Sequence, residues 1–99
     1  MEILQAADRL LRTAEANGWT RDPESTERRL VLRRGTGIGS RLITCTISAN
    51  GRATSARHDE VVNVRDDGRE MKMNLGWSRT NAPRQAVHFA TCRMEGRCP

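Results

Sequence analysis

Residues 28–57 read RRLVLRRGTGIGSRLITCTISANGRATSAR, and the period of this stretch decides the fold. Leu30 and Leu32 point one way while Arg29, Val31 and Arg33 point the other, which is the period-two pattern of a strand with an arginine-bearing outer face. The alternation resumes after Gly35-Thr36-Gly37-Ile38-Gly39-Ser40. Ile43, Cys45 and Ile47 alternate with Thr44, Thr46 and Ser48, predicting a second strand with its apolar side on a core. Asn50-Gly51 predicts a tight hairpin turn, because both central positions of a type I′ turn need positive φ. Arg52–Arg57 then runs back antiparallel to the second strand.

This stretch carries seven arginines (Arg28, Arg29, Arg33, Arg34, Arg41, Arg52 and Arg57) and no Asp or Glu. Residues 1–27 have a formal charge of −3 and residues 58–99 of +1, so the middle third supplies the whole excess of a chain whose net charge is +5. Sixteen of the 17 basic residues are Arg. Codon bias accounts for Arg over Lys, but not for the missing carboxylates.

On the N-terminal side, Met1–Asn17 has helical spacing. Ile3, Ala7, Leu10 and Ala14, with Leu4 and Leu11 beside them, form one face, and Asp8, Arg9, Arg12 and Glu15 fall elsewhere. Asn17-Gly18 stops this helix, and Trp19 is expected to pack back over its end. Thr20–Glu27 is polar, contains Pro23 and reads as a loop.

On the C-terminal side, His58-Asp59-Glu60 reads as a solvated turn. Val62 and Val64 alternate, Asp67-Gly68 marks another turn, and Met71, Met73, Leu75 and Trp77 are expected on one face of a returning strand. Pro83 suits the first turn of a helix whose face is Ala86, Val87, Phe89, Ala90 and Met94. Val87, Phe89 and Thr91 also alternate as a strand would. Residues 96–99 read as a frayed tail.

The expected fold class is therefore α+β: one domain spanning residues 1–99, with an N-terminal amphipathic helix on an antiparallel sheet of four to five strands and a short C-terminal helix. The sheet's other face is left for solvent or partners. The free sheet edge offers a route to a homodimer.

Several functional classes find no support in the residues. GTGIGS lacks the Lys-Ser/Thr and the following helix of a phosphate-binding loop, so it reads as a mobile hairpin connection. His58 beside Asp59 and Glu60 has the elements of a general base, but neighbours on a strand face opposite ways and no nucleophile is identified. His88 and Cys92 share a helical face, yet a structural zinc site wants four ligands in recognisable spacing, so no metal or cofactor is expected. Cys45, Cys92 and Cys98 suggest no disulfide framework. Charges interrupt the N-terminus, and no apolar run reaches membrane-spanning length, so a cytoplasmic location without membrane contact is expected.

Arginine's planar fork of N–H groups matches phosphate and carboxylate alike. The expected function is a non-enzymatic module whose basic hairpin, through Arg29, Arg33, Arg41, Arg52 and Arg57, docks on a nucleic-acid backbone with little sequence preference. Residues 28–57 contain no aromatic side chain, which favours a duplex backbone over stacked single-strand bases. The alternative is a small regulator, adaptor or inhibitor placing the same face on an acidic protein surface. A helix, a basic antiparallel sheet and a second helix together are similar in outline to double-stranded-RNA-binding domains and to HicA-type RNA-cleaving toxins. The likeness is one of layout alone. The toxins are expected to carry a histidine just after a Gly-Ser on the sheet, where this chain has Gly39-Ser40-Arg41, so no residue and no activity is carried over.

Overall fold

The computed structural model describes residues 5–78 and 83–97. The chain is α+β, in the order α1 (Gln5–Ala16), β1 (Thr20–Arg21), β2 (Arg29–Arg34), β3 (Arg41–Ile47), β4 (Ala53–Val64), β5 (Glu70–Trp77) and α2 (Pro83–Glu95). The five strands form one antiparallel meander in sequence order, and both helices cover the same face of it. Ile3, Leu4, Cys98 and the last residues of the expected tail lie outside the described residues.

Alternation places the core as expected on β2 and β3. Leu30 pairs with Cys45 and Leu32 with Ile43, and all four side chains are buried against Leu10 and Ala14 of α1 and Ala86, Ala90 and Met94 of α2. The 83–95 segment is a helix, which resolves the competing strand alternation: Ala86, Ala90 and Met94, four apart, are buried in the main core, and Cys92 is buried as well. Each helix ends on a left-handed glycine with Schellman hydrogen bonds. At α1 the Gly18 N–H reaches the Glu15 carbonyl and the Trp19 N–H reaches that of Ala14; at α2 Gly96 and Arg97 bond to Arg93 and Cys92. Trp19 does pack back over the helix end. Its indole N–H also donates to the Met94 carbonyl at 3.2 Å, joining the last turns of both helices.

Both hairpins fall where the glycines put them, but each has a three-residue loop. In the first, the Gly51 N–H bonds the Ser48 carbonyl and Ser48 pairs with Arg52; in the second, Gly68 bonds Arg65 and Arg65 pairs with Arg69. Gly51 and Gly68 take φ of 83° and 90°, the left-handed position that follows a type I turn in such loops.

Three expectations give way to longer-range structure. His58-Asp59-Glu60 is no turn but the middle of the 12-residue β4, because alternation simply sends His58 into the core and Asp59 to the outer face. The GTGIGS connection is tied down: the Gly39 N–H donates to the Val61 carbonyl at 2.8 Å and the Val61 N–H to that of Ser40 at 2.9 Å, continuing the β3–β4 ladder. Thr20–Arg21 pairs with Leu32–Arg33 as the short β1, and the Asp22 and Thr26 N–H groups bond to β2 carbonyls, covering that edge.

Two irregularities in the β4–β5 ladder shape the outer face. Val62 is an extra residue between Val61, opposite Lys72, and Asn63, opposite Met71. Bulges bend a strand and increase its twist. In a flat sheet β2 and β5 would stand about 14 Å apart, yet Arg33 of β2 bonds Glu70 of β5. The hairpin therefore curls back over the outer face and closes on a small apolar cluster of Val31, Leu42 and Val61. The second irregularity makes Leu75 the extra residue, because His58 pairs with Gly76 and Asp59 with Asn74. It breaks the strict alternation expected for Met71, Met73, Leu75 and Trp77, and turns Trp77 to the face opposite the helices.

Candidate nucleic-acid interface

The five arginines expected to form one face divide into distinct environments. Arg29, Arg33 and Arg57 share the outer face, since Arg29 pairs with Thr46, Arg33 with Leu42, and Thr44 with Arg57. Arg41 sits at the end of β3 in register with Arg34 and Glu60, and by alternation on the helix side. Arg52 closes the first hairpin loop.

Arg33 is engaged within the fold. Its Nε donates to Asp22 Oδ2 at 3.1 Å, one terminal nitrogen to Ser40 Oγ at 3.2 Å and the other to Glu70 Oε1. Three segments are thus clamped around a guanidinium whose side chain is only 21 % exposed. The Glu70 hydrogen bond raises the Arg33 pKa; burial opposes this, and Asp22 adds to the rise. At Asp22 burial pushes upward, but the Glu24 N–H, Arg33 and the charge of Lys72 outweigh it and hold the carboxyl below its ordinary value. Arg41 pairs with Glu60 at 3.0 Å, more openly.

Arg57 is held without being hidden. Its terminal nitrogen donates to Asp59 Oδ1 at 3.0 Å, and Asp59, buried, also accepts from the Asn74 amide at 3.2 Å. The Arg57 side chain stays 57 % exposed, so the carboxylate orients the fork while its other donors face outward. Among the described residues Arg28, Arg29 and Arg52 form no ion pair. These three gather at one end of the sheet, where β2 begins, β3 ends and β4 begins.

At that same end lies an open cleft of about 460 Å³, lined by Thr44, Thr46, Ser55, Arg57, Asn74 and Trp77. Trp77 stands directly across from Arg57 in the β4–β5 ladder and is 72 % exposed. The hydroxyls of Thr44, Thr46 and Ser55 make no hydrogen bond among the described residues, whereas Asn74 spends its amide on Asp59, His58, Gly76 and the Gly76 N–H. Sequence reasoning missed Trp77, Asn74 and the threonines. A signal was there: a glycine inside a strand pattern, here Gly76, marks a bulge, and a bulge between Asn74 and Trp77 reverses the face of everything after it.

His58 and His88 take opposite places. His58 is 4 % exposed on the helix-covered face, its Nδ1 accepting from Arg93 at 3.3 Å and its ring 6.2 Å from that of Trp19. Burial, then the charges of Arg93 and Arg41, pull its pKa down to about 4 against the weaker pull of Asp59 and Glu60. His58 is a neutral core residue facing away from Asp59. His88 is exposed, with Nε2 3.4 Å from Cys92 Sγ. Burial pushes the Cys45 thiol up to about 12, which makes it an inert core group. Among the described residues no three His, Cys, Asp or Glu side chains converge as a metal site would, and no helix is long and apolar enough to cross a membrane.

No protein-family model matches the chain, and no curated protein or solved structure matches it either.

Proposed function

We propose that this protein is a non-enzymatic binding module that grips a nucleic-acid backbone with the open half of its outer sheet face. The observation that carries this is the placement of Arg29 and Arg57 on one face around an open cleft, with Arg28 and Arg52 at the same end of the sheet. Guanidinium groups that are exposed and only partly engaged attract any phosphate chain, and contact with a chain rather than with base edges gives little sequence preference. Arg33 supports the fold instead of the interface, and Arg41, paired with Glu60 on the helix side where β3 begins, lies outside it. Cytoplasmic nucleic acid is the natural partner for such a face.

Binding of labelled DNA and RNA across a salt series tests this. Affinity falls as salt rises, with a log-log slope of roughly 0.9 per phosphate neutralised on duplex DNA and roughly 0.7 on single strands. Exchanging Arg29, Arg52 and Arg57 together for Gln lowers both affinity and slope. Unchanged affinity in the triple variant defeats the proposal.

One observation favours the alternative, a regulator, adaptor or inhibitor seated on an acidic protein partner. The β4–β5 hairpin exposes Val62, Val64, Met71 and Met73, an apolar surface that a nucleic acid does not need. An interaction that survives nuclease treatment and is abolished by M71E/M73E would identify a protein contact instead.

A further inference from the structure

Resting on the nucleic-acid reading above, we infer that the cleft beside Trp77 receives an unpaired nucleobase, so that the backbone gripped by Arg29 and Arg57 is that of a single strand. The indole is the largest exposed apolar surface of the outer face and lies across the ladder from a guanidinium fixed in orientation by Asp59. An aromatic plane next to arginine on an antiparallel sheet is the arrangement by which single strands are held: the base stacks on the ring and the arginine takes the adjoining phosphate. In a duplex both faces of every internal base are already stacked, and the indole would have nothing to meet.

The rest of the cleft fits the same ligand. The hydroxyls of Thr44, Thr46 and Ser55 line it and are uncommitted among the described residues, so each can donate to or accept from the edge of a base or sugar. Because a hydroxyl serves either role, these groups would accept any base, and stacking, which every base can offer, would dominate. Arg29 lies on the same face, with Thr46 and Ser55 between it and the Trp77 end, placed for a second phosphate along the strand. The curled β4–β5 hairpin closes the far half of the face, leaving a short concave seat in place of a broad plane.

The experiment uses the full chain with oligo(dT), oligo(U) and a duplex of equal length at low salt, reading both affinity and tryptophan emission. Trp19 is buried at 3 % exposure and cannot touch ligand, so quenching on binding reports Trp77. Quenching by the single strands, binding of single strands at least tenfold tighter than duplex, and a five- to hundredfold loss on Trp77→Ala are expected, with Trp77→Phe retaining most of the affinity. Trp77→Ala should fold normally, as shown by unchanged emission from Trp19. If Trp77→Ala binds single strands like the parent while Arg29→Gln/Arg57→Gln loses them, backbone docking stands and the base site is refuted. If the parent binds neither strand nor duplex, both proposals fall together.

Discussion

The two faces of the sheet each hold a tryptophan, and the contrast between them separates what folds this protein from what it offers to a partner. Trp19 lies under both helices at 3 % exposure, with its N–H on the Met94 carbonyl and its ring beside His58. Trp77 stands at 72 % exposure with a threonine-lined cleft beside it. The arginines divide in the same way. Arg33 is enclosed by Asp22, Ser40 and Glu70, whereas Arg57 is oriented by one carboxylate and otherwise open. Residue type alone does not assign a role; the number of partners each side chain has already found does.

The largest effect that would test this contrast is on Trp19. Trp19→Ala removes a buried ring and leaves the Met94 carbonyl without its donor, so a loss of about 4 kcal/mol in unfolding free energy is expected from urea melts. For a chain of this size that is a large share of total stability, and partial unfolding at room temperature is a compatible result. A loss under about 1 kcal/mol would mean that the helix ends are not joined as described.

Acid should act on the same buried region. The folded pKa of His58 is about 4, below its ordinary 6.5, so between these values the unfolded chain binds a proton that the folded chain refuses. Stability contributed by neutral His58 is therefore complete above about pH 6.5 and is lost as pH falls towards 4, to a total on the order of 2–3 kcal/mol. The Asp22 carboxyl, held below its ordinary 3.8, is lost only beneath that window. Urea midpoints between pH 7 and 4 check this: the slope should be present in the parent and absent in His58→Leu, whatever the baseline of that variant.

Arg33→Ala comes next, at about 2 kcal/mol, because two half-hidden carboxylates would lose their shared donor and the curled hairpin its tether. Unlike Arg29→Gln/Arg57→Gln, it should leave nucleic-acid affinity unchanged in the folded fraction. An Arg33 variant of full stability and reduced affinity would move Arg33 from the scaffold to the interface.

How far these roles could be read in the sequence depends on the range of the contacts that set them. The alternation of Leu30, Leu32, Ile43, Cys45 and Ile47 is a local signal, and those residues are the core. Gly18, Gly51 and Gly68 marked the stops and turns because their positive φ is a local demand. The carboxylate-free run from 28 to 57 was just as visible, but charge balance is set in space. Asp22, Glu60 and Glu70 come from outside the run to meet Arg33 and Arg41, which no inspection of the run itself discloses. Trp77 was expected to share a face with Met71 and Met73, and does not for a related reason, since counting by twos assumes an unbroken ladder and Leu75 breaks it.

Gly76 is where that break was legible, and it gives the next smaller effect. Its φ of 145° is rarely adopted by residues with a side chain, and an added Cβ would lie 3.0 Å from the terminal nitrogen of Arg93 and 3.5 Å from the Phe89 ring. Arg93 passes over Phe89, 4.8 Å from the ring centre, and reaches His58 Nδ1 and the Leu75 carbonyl. Gly76→Ala should cost about 1–2 kcal/mol through strain and displacement of that guanidinium. Because the bulge also turns Trp77 outward, the same variant should shift Trp77 emission, which a purely packing effect at Arg93 would not do.

The smallest stability effect belongs to the residue with the largest proposed functional one. Trp77→Ala removes a ring that buries little surface in the folded state, so the unfolding free energy should change by no more than about 0.5 kcal/mol. Its sign is informative: an exposed indole that packs nowhere gives no loss, whereas one that leans on Thr44 or Thr46 gives a small one. Set beside Trp19→Ala, the pair forms a direct test of the division between faces. One substitution should unfold the protein and leave the folded remainder able to bind, and the other should leave the fold intact and weaken binding. Equal stability losses at the two positions would mean that Trp77 is part of the scaffold, and the cleft beside it would then be a by-product of the twisted sheet with no ligand to receive.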